Sequence, residues 1–305
     1  MKVGALSPAE FRRALTGPGV RLGTGIFNCR LQSEVARIAP ELARLYAHHE
    51  VLDETAFIDF HVKIGTSRGL RRWIRPQALF TVDEVSPFTP LPQDQALPMM
   101  EWGLNWCISA YCHHLLVLHA ASLSKNGHAL ILPAPAGSGK STLCAALANR
   151  GWRLLSDELT LIDLRDGRLH ALARPVNLKN QSIDVIRRFA PEAFMSRPVL
   201  DTTKGTVALM APSEASVQAS ADPVWPRWVA LPRWRAGAAT QLTPMPQGET
   251  FLQLAENAMN YHILAQQGFA ALGQLVDRAK GFRFEYSKLD EAIAVFDQLA
   301  EQAGA

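Results

Sequence analysis

Cysteine is scarce in this 305-residue chain: the four cysteines (Cys29, Cys107, Cys112 and Cys144) lack the paired-doublet spacing of a zinc site. They read as reduced, mostly buried thiols of a cytoplasmic protein. Charge is also sparse. Charged residues make up 19% and the net charge is +3, with no basic run, so no nucleic-acid partner is expected. Four arginines do gather at Arg68, Arg71, Arg72 and Arg75, where they read as a solvated edge. No long apolar run occurs either. The uncharged stretch over residues 102–118 contains Asn105, His113 and His114. It falls short of the roughly 20 apolar residues of a membrane span and reads as a buried helix. The first ten residues carry no apolar core of a signal peptide, so a cytoplasmic location is expected. Internal repeats are absent.

The hydrophobic fraction is 48%, enough for one large domain or two smaller ones. Ser7-Pro8-Ala9-Glu10 has the pattern of a capped helix start. Residues 20–31, 57–62 and 71–82 read as strands, with Pro76 favouring an edge, and Ser33 as the cap of a helix over 34–48. Four prolines within residues 87–98 mark a connector. A helix over 99–116 should follow, then a hairpin turned at Asn126-Gly127. Further on, 152–162 reads as one strand, 174–182 and 202–205 as polar loops, and 249–267 as one long amphipathic helix stopped by Gly268. Residues 282–286 and 289–302 read as a strand and a closing helix. Trp225, Trp228 and Trp234 read as core or interface residues, not as a platform for a base.

The most informative segment joins the apolar run Ala129-Leu-Ile-Leu132 to Ala136-Gly137-Ser138-Gly139-Lys140-Ser141-Thr142. Strand, glycine-rich loop and helix in that order form a phosphate cradle. Backbone N–H groups from Ala136 to Thr142 face the phosphate oxygens, and the helix dipole favours the anion. Lys140 brings a charge toward the β/γ-phosphates, and the Ser141 hydroxyl is placed to ligate Mg²⁺. The usual first glycine of such a loop is replaced by Ala134, followed by Pro135. Seventeen residues after Lys140 stand Asp157 and Glu158, adjacent carboxylates in an apolar strand. Both are costly to bury without a compensating partner, which Mg·ATP would supply. In a regular strand they point to opposite faces, so both reach one site only if the strand ends or bends there.

These residues resemble the HPr kinase/phosphorylase family. The matching stretches are Leu118-His119-Ala-Ala before the hairpin, Gly137-Ser-Gly-Lys-Ser-Thr142, and Arg150-Gly-Trp-Arg-Leu-Leu-Ser-Asp-Glu158. Downstream, Asn257-Ala-Met-Asn-Tyr-His262 is similar to the family's Ala-Ala-Met-Asn-Tyr-Arg segment. The resemblance covers roughly residues 115–269. It implies an α/β fold with a P-loop core shared with phosphoenolpyruvate carboxykinases. The proline-rich connector divides the chain into an N-terminal mixed α/β lobe over 1–95, which the resemblance does not cover, and a P-loop kinase domain over 96–305. The resemblance implies ATP and Mg as cofactors, a homo-oligomer, and transfer of the γ-phosphoryl group to a seryl hydroxyl. His119, Lys140 and Asp157 would be catalytic, with Asp157 the base. Ser141 and Glu158 would hold the metal, and the two acids could exchange roles. Arg174, Lys179, Lys204 and Asn260 are candidate substrate contacts, with ordinary surface charge an equal alternative for the three cations and helix packing for Asn260. The Asp-Glu pair in place of Asp-Asp, His262 in place of Arg, and the absent glycine-rich segment after the acids depart from the pattern. They point to a related kinase acting on another protein or peptide. The alternatives are an ATP-binding regulatory module with little catalysis and a small-molecule hydroxyl kinase.

Overall fold

The computed structural model describes residues 1–135 and 137–304; the side chains of Arg71 and Arg72, two of the four clustered arginines, and all of Ala136 lie outside that description. Helix α1 (Pro8–Thr16) starts from a closed capping box, Glu10 N–H to Ser7 Oγ and Ser7 N–H back to the Glu10 carboxylate. The single strand expected over 20–31 is a hairpin, β1 (Val20–Thr24) and β2 (Phe27–Ser33), because Gly25 turns the chain at φ +76°. Ser33 ends β2 instead of capping a helix, and α2 (Ala39–Leu45) begins six residues later. Strands β3 (Phe60–Thr66), β4 (Gln77–Val82) and β5 (Leu91–Pro92) complete a five-stranded sheet in sequence order. Pro76 precedes β4, which is flanked by β3 and β5 and so is not an edge strand.

Helix α3 (Ala96–Tyr111) lies across this sheet. It ends before the expected residue 116, and residues 115–118 form β6 (Leu115–Leu118). The expected hairpin is present as β7 (Ala120–Lys125) and β8 (His128–Pro133), with Asn126 and Gly127 both at positive φ. Helix α4 (Lys140–Ala148) follows, then β9 (Arg153–Ser156) and β10 (Thr160–Asp163). The expected strand over 152–162 is therefore broken at Asp157, Glu158 and Leu159. The Ser156 hydroxyl closes the break by accepting from Leu159 N–H at 3.1 Å. Strand β11 (Leu169–His170) is short, and β12 (Val176–Lys179) occupies what read as a polar loop. Next come α5 (Gln181–Phe189), β13 (Val199–Thr202), β14 (Gly205–Met210), α6 (Glu214–Gln218), β15 (Trp225–Trp234) and β16 (Gln241–Met245).

The expected long helix over 249–267 is three pieces: α7 (Gln247–Glu256), α8 (Tyr261–Leu264) and α9 (Gln266–Arg278), with Gly268 inside the third. Its interruption has a tertiary cause. Residues 257–260 cover the open edge of β6: Met259 N–H donates to Val117 O, and Asn257 O accepts from His119 N–H at 2.7 Å. Ala265, at φ +48°, breaks α8 from α9. Strand β17 (Lys280–Tyr286) and helix α10 (Leu289–Gly304) close the chain as read.

The six-stranded sheet has the order β16-β17-β15-β8-β7-β9. β8, β15 and β17 are parallel, while β7 runs antiparallel to both β8 and β9. Strands β8, β9, β15 and β17 therefore share one direction, and their carboxyl ends share one edge of the sheet. Alternate residues of β8 go to opposite faces. Leu130 and Leu132 pack with Leu143 of α4 and Phe296 of α10. Ala129 and Ile131 pack with Leu254 of α7 and Leu272 of α9. A separate core joins α1, α2 and α3 to the five-stranded sheet and reaches Leu159, Leu161 and Leu209. The chain is thus a mixed α/β protein. Among the described residues, no helix is long and apolar enough to cross a membrane.

Candidate functional site

The shared strand direction collects the chemistry-bearing residues at one edge. β8 runs into the glycine-rich loop, β9 into Asp157, and antiparallel β7 starts just after His119. This is the carboxyl-end edge where open α/β sheets hold their ligands.

In the loop, Gly137 (φ +86°) and Gly139 (φ +90°) adopt left-handed backbone that other residues resist. A side chain at Gly139 would also meet the Tyr286 hydroxyl at 2.6 Å and Trp234 Cβ at 2.9 Å. Gly137 faces open space. Lys140, the first residue of α4, is only 8% exposed, and its Nζ lies 3.3 Å from His119 Nε2. Burial lowers the Lys140 pKa, opposed by Asp157 and Glu158. Burial, then the Lys140 charge, pushes His119 down to about 4. His119 is therefore neutral at pH 7 and accepts from the ammonium. Ser141 and Thr142 follow on the first turn of α4, and Ser138 precedes it. Ala136 lies outside the described residues.

The break between β9 and β10 turns both acids to this site. Asp157 is 4% exposed, and its Oδ2 accepts from Asn177 N–H at 3.0 Å. Its Oδ1 is buried without a partner. Burial raises its pKa to about 6, against the pull of Lys140 and with the push of Glu158. Glu158 behaves oppositely. Burial alone would raise its pKa, but Lys204, Lys179 and Lys140 together hold it below the usual range. Its Oε1 lies 3.7 Å from Lys179 Nζ and 4.0 Å from Lys204 Nζ. Asn105 Nδ2 donates to its Oε2 at 2.8 Å, and Asn177 Nδ2 to its Oε1 at 3.3 Å.

The structure thus brings His119, Lys140, Ser141, Asp157, Glu158, Lys179 and Lys204 together. It sets two expected contacts aside. Arg174 is 7% exposed and lies behind the acids, where it donates to Asn105 Oδ1 and stands 4.0 Å from Glu101. A buried guanidinium with those neighbours is not presented to an incoming phosphate. Asn260 is fully buried: its Oδ1 accepts from Val117 N–H, and its Nδ2 donates to the carbonyls of Cys112 and Leu115. It is a packing residue that stands in for a missing strand partner.

Sequence reasoning missed Asn105 and Asn177, which hold the acids. It also missed the buried chain Tyr46–Glu101–Arg174–Asn105 leading to Glu158, in which the Tyr46 hydroxyl donates to Glu101 at 2.6 Å. A water-sized cavity of about 20 Å³ lies among Glu101, Asn105, Arg174, Asp157 and Asn177. Arg174 Nε, Asp157 Oδ1 and Asn177 Oδ1 are buried there without protein partners, which suits one bridging water. The only signal for this chain of groups was a lone Glu101 and a lone Asn105 in an apolar helix.

No family model matches the chain, and no curated protein matches it. Among solved structures the chain is similar, distantly, to the Hpr(Ser) kinase/phosphatase from Coxiella burnetii. The identity is 12% and the TM-score 0.26, over 61% of this chain and 98% of that one.

Proposed function

We propose that the chain is a Mg·ATP-dependent kinase that transfers the γ-phosphoryl group to a hydroxyl of a protein or peptide. One observation carries the reading: a glycine-rich loop, its buried lysine, and two carboxylates of opposed titration meet at one sheet edge. The motif-level resemblance of residues 115–269 supports the same reading. A kinase domain over 96–305 with an N-terminal lobe over 1–95 accompanies it, since the five-stranded sheet lies wholly before α3.

The residues fit Mg²⁺. Among the described residues no three His, Cys, Asp or Glu side chains gather into a metal cage. Mg²⁺ needs no such cage when phosphate oxygens and waters complete its shell. The Ser141 hydroxyl and the anionic Glu158 would supply the protein's share. When bound, the ion neutralises charge on the phosphates.

The chain's own residues divide the remaining work. Loop amides and Lys140 hold the phosphates and offset charge on the transferred group. His119, neutral, fixes the Lys140 ammonium. Asp157, with its pKa near 6, is deprotonated at pH 7 yet basic enough to accept the hydroxyl proton. The acceptor oxygen forms its bond to the γ-phosphorus as the bond to the β–γ bridging oxygen breaks; the proton goes to Asp157 and ADP leaves. Glu158, pinned as an anion by Lys179 and Lys204, keeps those lysines at the phosphate end.

The test is transfer from γ-labelled ATP with Mg²⁺ to fractions of a cell extract, run beside Asp157→Asn and Lys140→Ala. Label in a peptide or protein fraction with wild type alone is expected. Undiminished transfer by Lys140→Ala, or ATP binding with no labelled product in any fraction, counts against a kinase.

A further inference from the structure

We infer that Trp234 is the platform on which the purine base of the nucleotide stacks, an inference that rests on the nucleotide reading above. The sheet order sets the direction. In β17-β15-β8-β7-β9, the acids stand at the end of β9, on one side of the loop-bearing strand β8. A triphosphate cradled by the loop with its γ-phosphate toward Asp157 must lead its ribose and base the other way. That path crosses the carboxyl ends of β15 and β17, which are Trp234 and Tyr286.

Trp234 is built into the loop. Its N–H donates to Ser138 O at 2.8 Å, and its Cβ stands where a side chain on Gly139 would intrude. Tyr286, fully buried beneath, donates its hydroxyl to Gly139 O at 3.1 Å. The indole itself is fixed by Nε1 donating to Ser287 O at 3.1 Å. Yet the residue stays half exposed, at 50%. The other tryptophans of β15 differ. Trp228 is 3% exposed, and Trp225 has the Arg278 guanidinium over its ring at 4.4 Å. Among the described residues no ring or cation covers Trp234. An oriented, uncovered indole beside a phosphate cradle is a stacking surface, and every purine offers it a π-face. The sequence expectation that Trp234 is a core or interface residue gives way to this reading.

The experiment measures binding of Mg·ATP and of Mg·tripolyphosphate, which has the phosphates but no base, to the full chain. Trp234→Ala is expected to weaken ATP about tenfold or more and leave tripolyphosphate unchanged. Trp234→Phe should retain most ATP affinity. ATP, and not tripolyphosphate, should quench wild-type tryptophan fluorescence by an amount missing in Trp234→Phe. The platform is overturned if Trp234→Ala binds ATP as wild type does while Lys140→Ala does not, or if wild type binds tripolyphosphate as tightly as ATP. In either case the phosphate site stands. A wild type that binds neither ligand sinks the nucleotide reading and the platform with it. Should Trp234→Ala lose both ligands through misfolding, the fluorescence comparison decides: equal quenching in wild type and Trp234→Phe overturns the inference.

Discussion

Asp157 and Glu158 are chain neighbours that titrate in opposite directions, because one is buried with few cations and the other faces three. Two consequences follow for Asp157. In its proposed role as base it must be ionised, so kcat/KM should rise with pH to about 6 and level off above. Asp157→Asn should lower kcat by about a hundredfold or more and spare ATP affinity, measured by steady-state rates and calorimetry. The same shift bears on stability. The folded pKa, about 6, lies above the ordinary 3.8, so the protonated form is favoured by folding. Stability from this group is full below the ordinary value and is lost as pH rises through 6. At pH 7 to 8 the ionised Asp157 costs on the order of 2–3 kcal/mol. Asp157→Asn should therefore be more stable than wild type at pH 7.5, with the gain shrinking toward pH 4 in urea titrations.

At the scale of elements, α3 carries a buried polar chain into the site. Arg174→Met would leave Glu101 buried without its cation, a loss of about 3–5 kcal/mol. Adding Glu101→Gln should recover part of that loss, read from denaturant midpoints. Asn260→Ala would strand Val117 N–H and the carbonyls of Cys112 and Leu115, at about 1–3 kcal/mol or more. Hydrogen exchange at Val117 should quicken most. These same elements mark where sequence reading stops. The Ser7 cap, the Asn126-Gly127 turn and the glycine-rich loop were legible because their signals are local: a few side chains acting on their own backbone. His119, Lys140, Asp157 and Glu158 were legible as parts of such a pattern. The break after Ser156 and the division of 247–278 were not. The second is imposed from a distance, by the β6 edge capturing residues 257–260 against a helical periodicity that favours continuing. Asn105 and Asn177 stayed hidden because a lone amide has no spacing to betray it.

At the scale of the whole molecule, the site draws on groups from residue 105 to residue 204, and the sheet beneath it from further still. β15 pairs with β8 across about a hundred residues, Trp225 against His128, and with β17 across about fifty, Trp228 against Lys280. Tyr286 grips Gly139 over a separation of 147 residues. Such pairings form slowly, because long loops must close before any contact rewards them. A ribosome making this chain releases the lysine of the loop long before the strands that brace it. Nascent chains arrested ahead of Lys280 should not be retained on immobilised ATP, whereas chains arrested well past the end of α10 should be. On the proposed nucleotide reading, ATP can therefore reward only a chain that has already made β17, and cannot guide the synthesis of what precedes it.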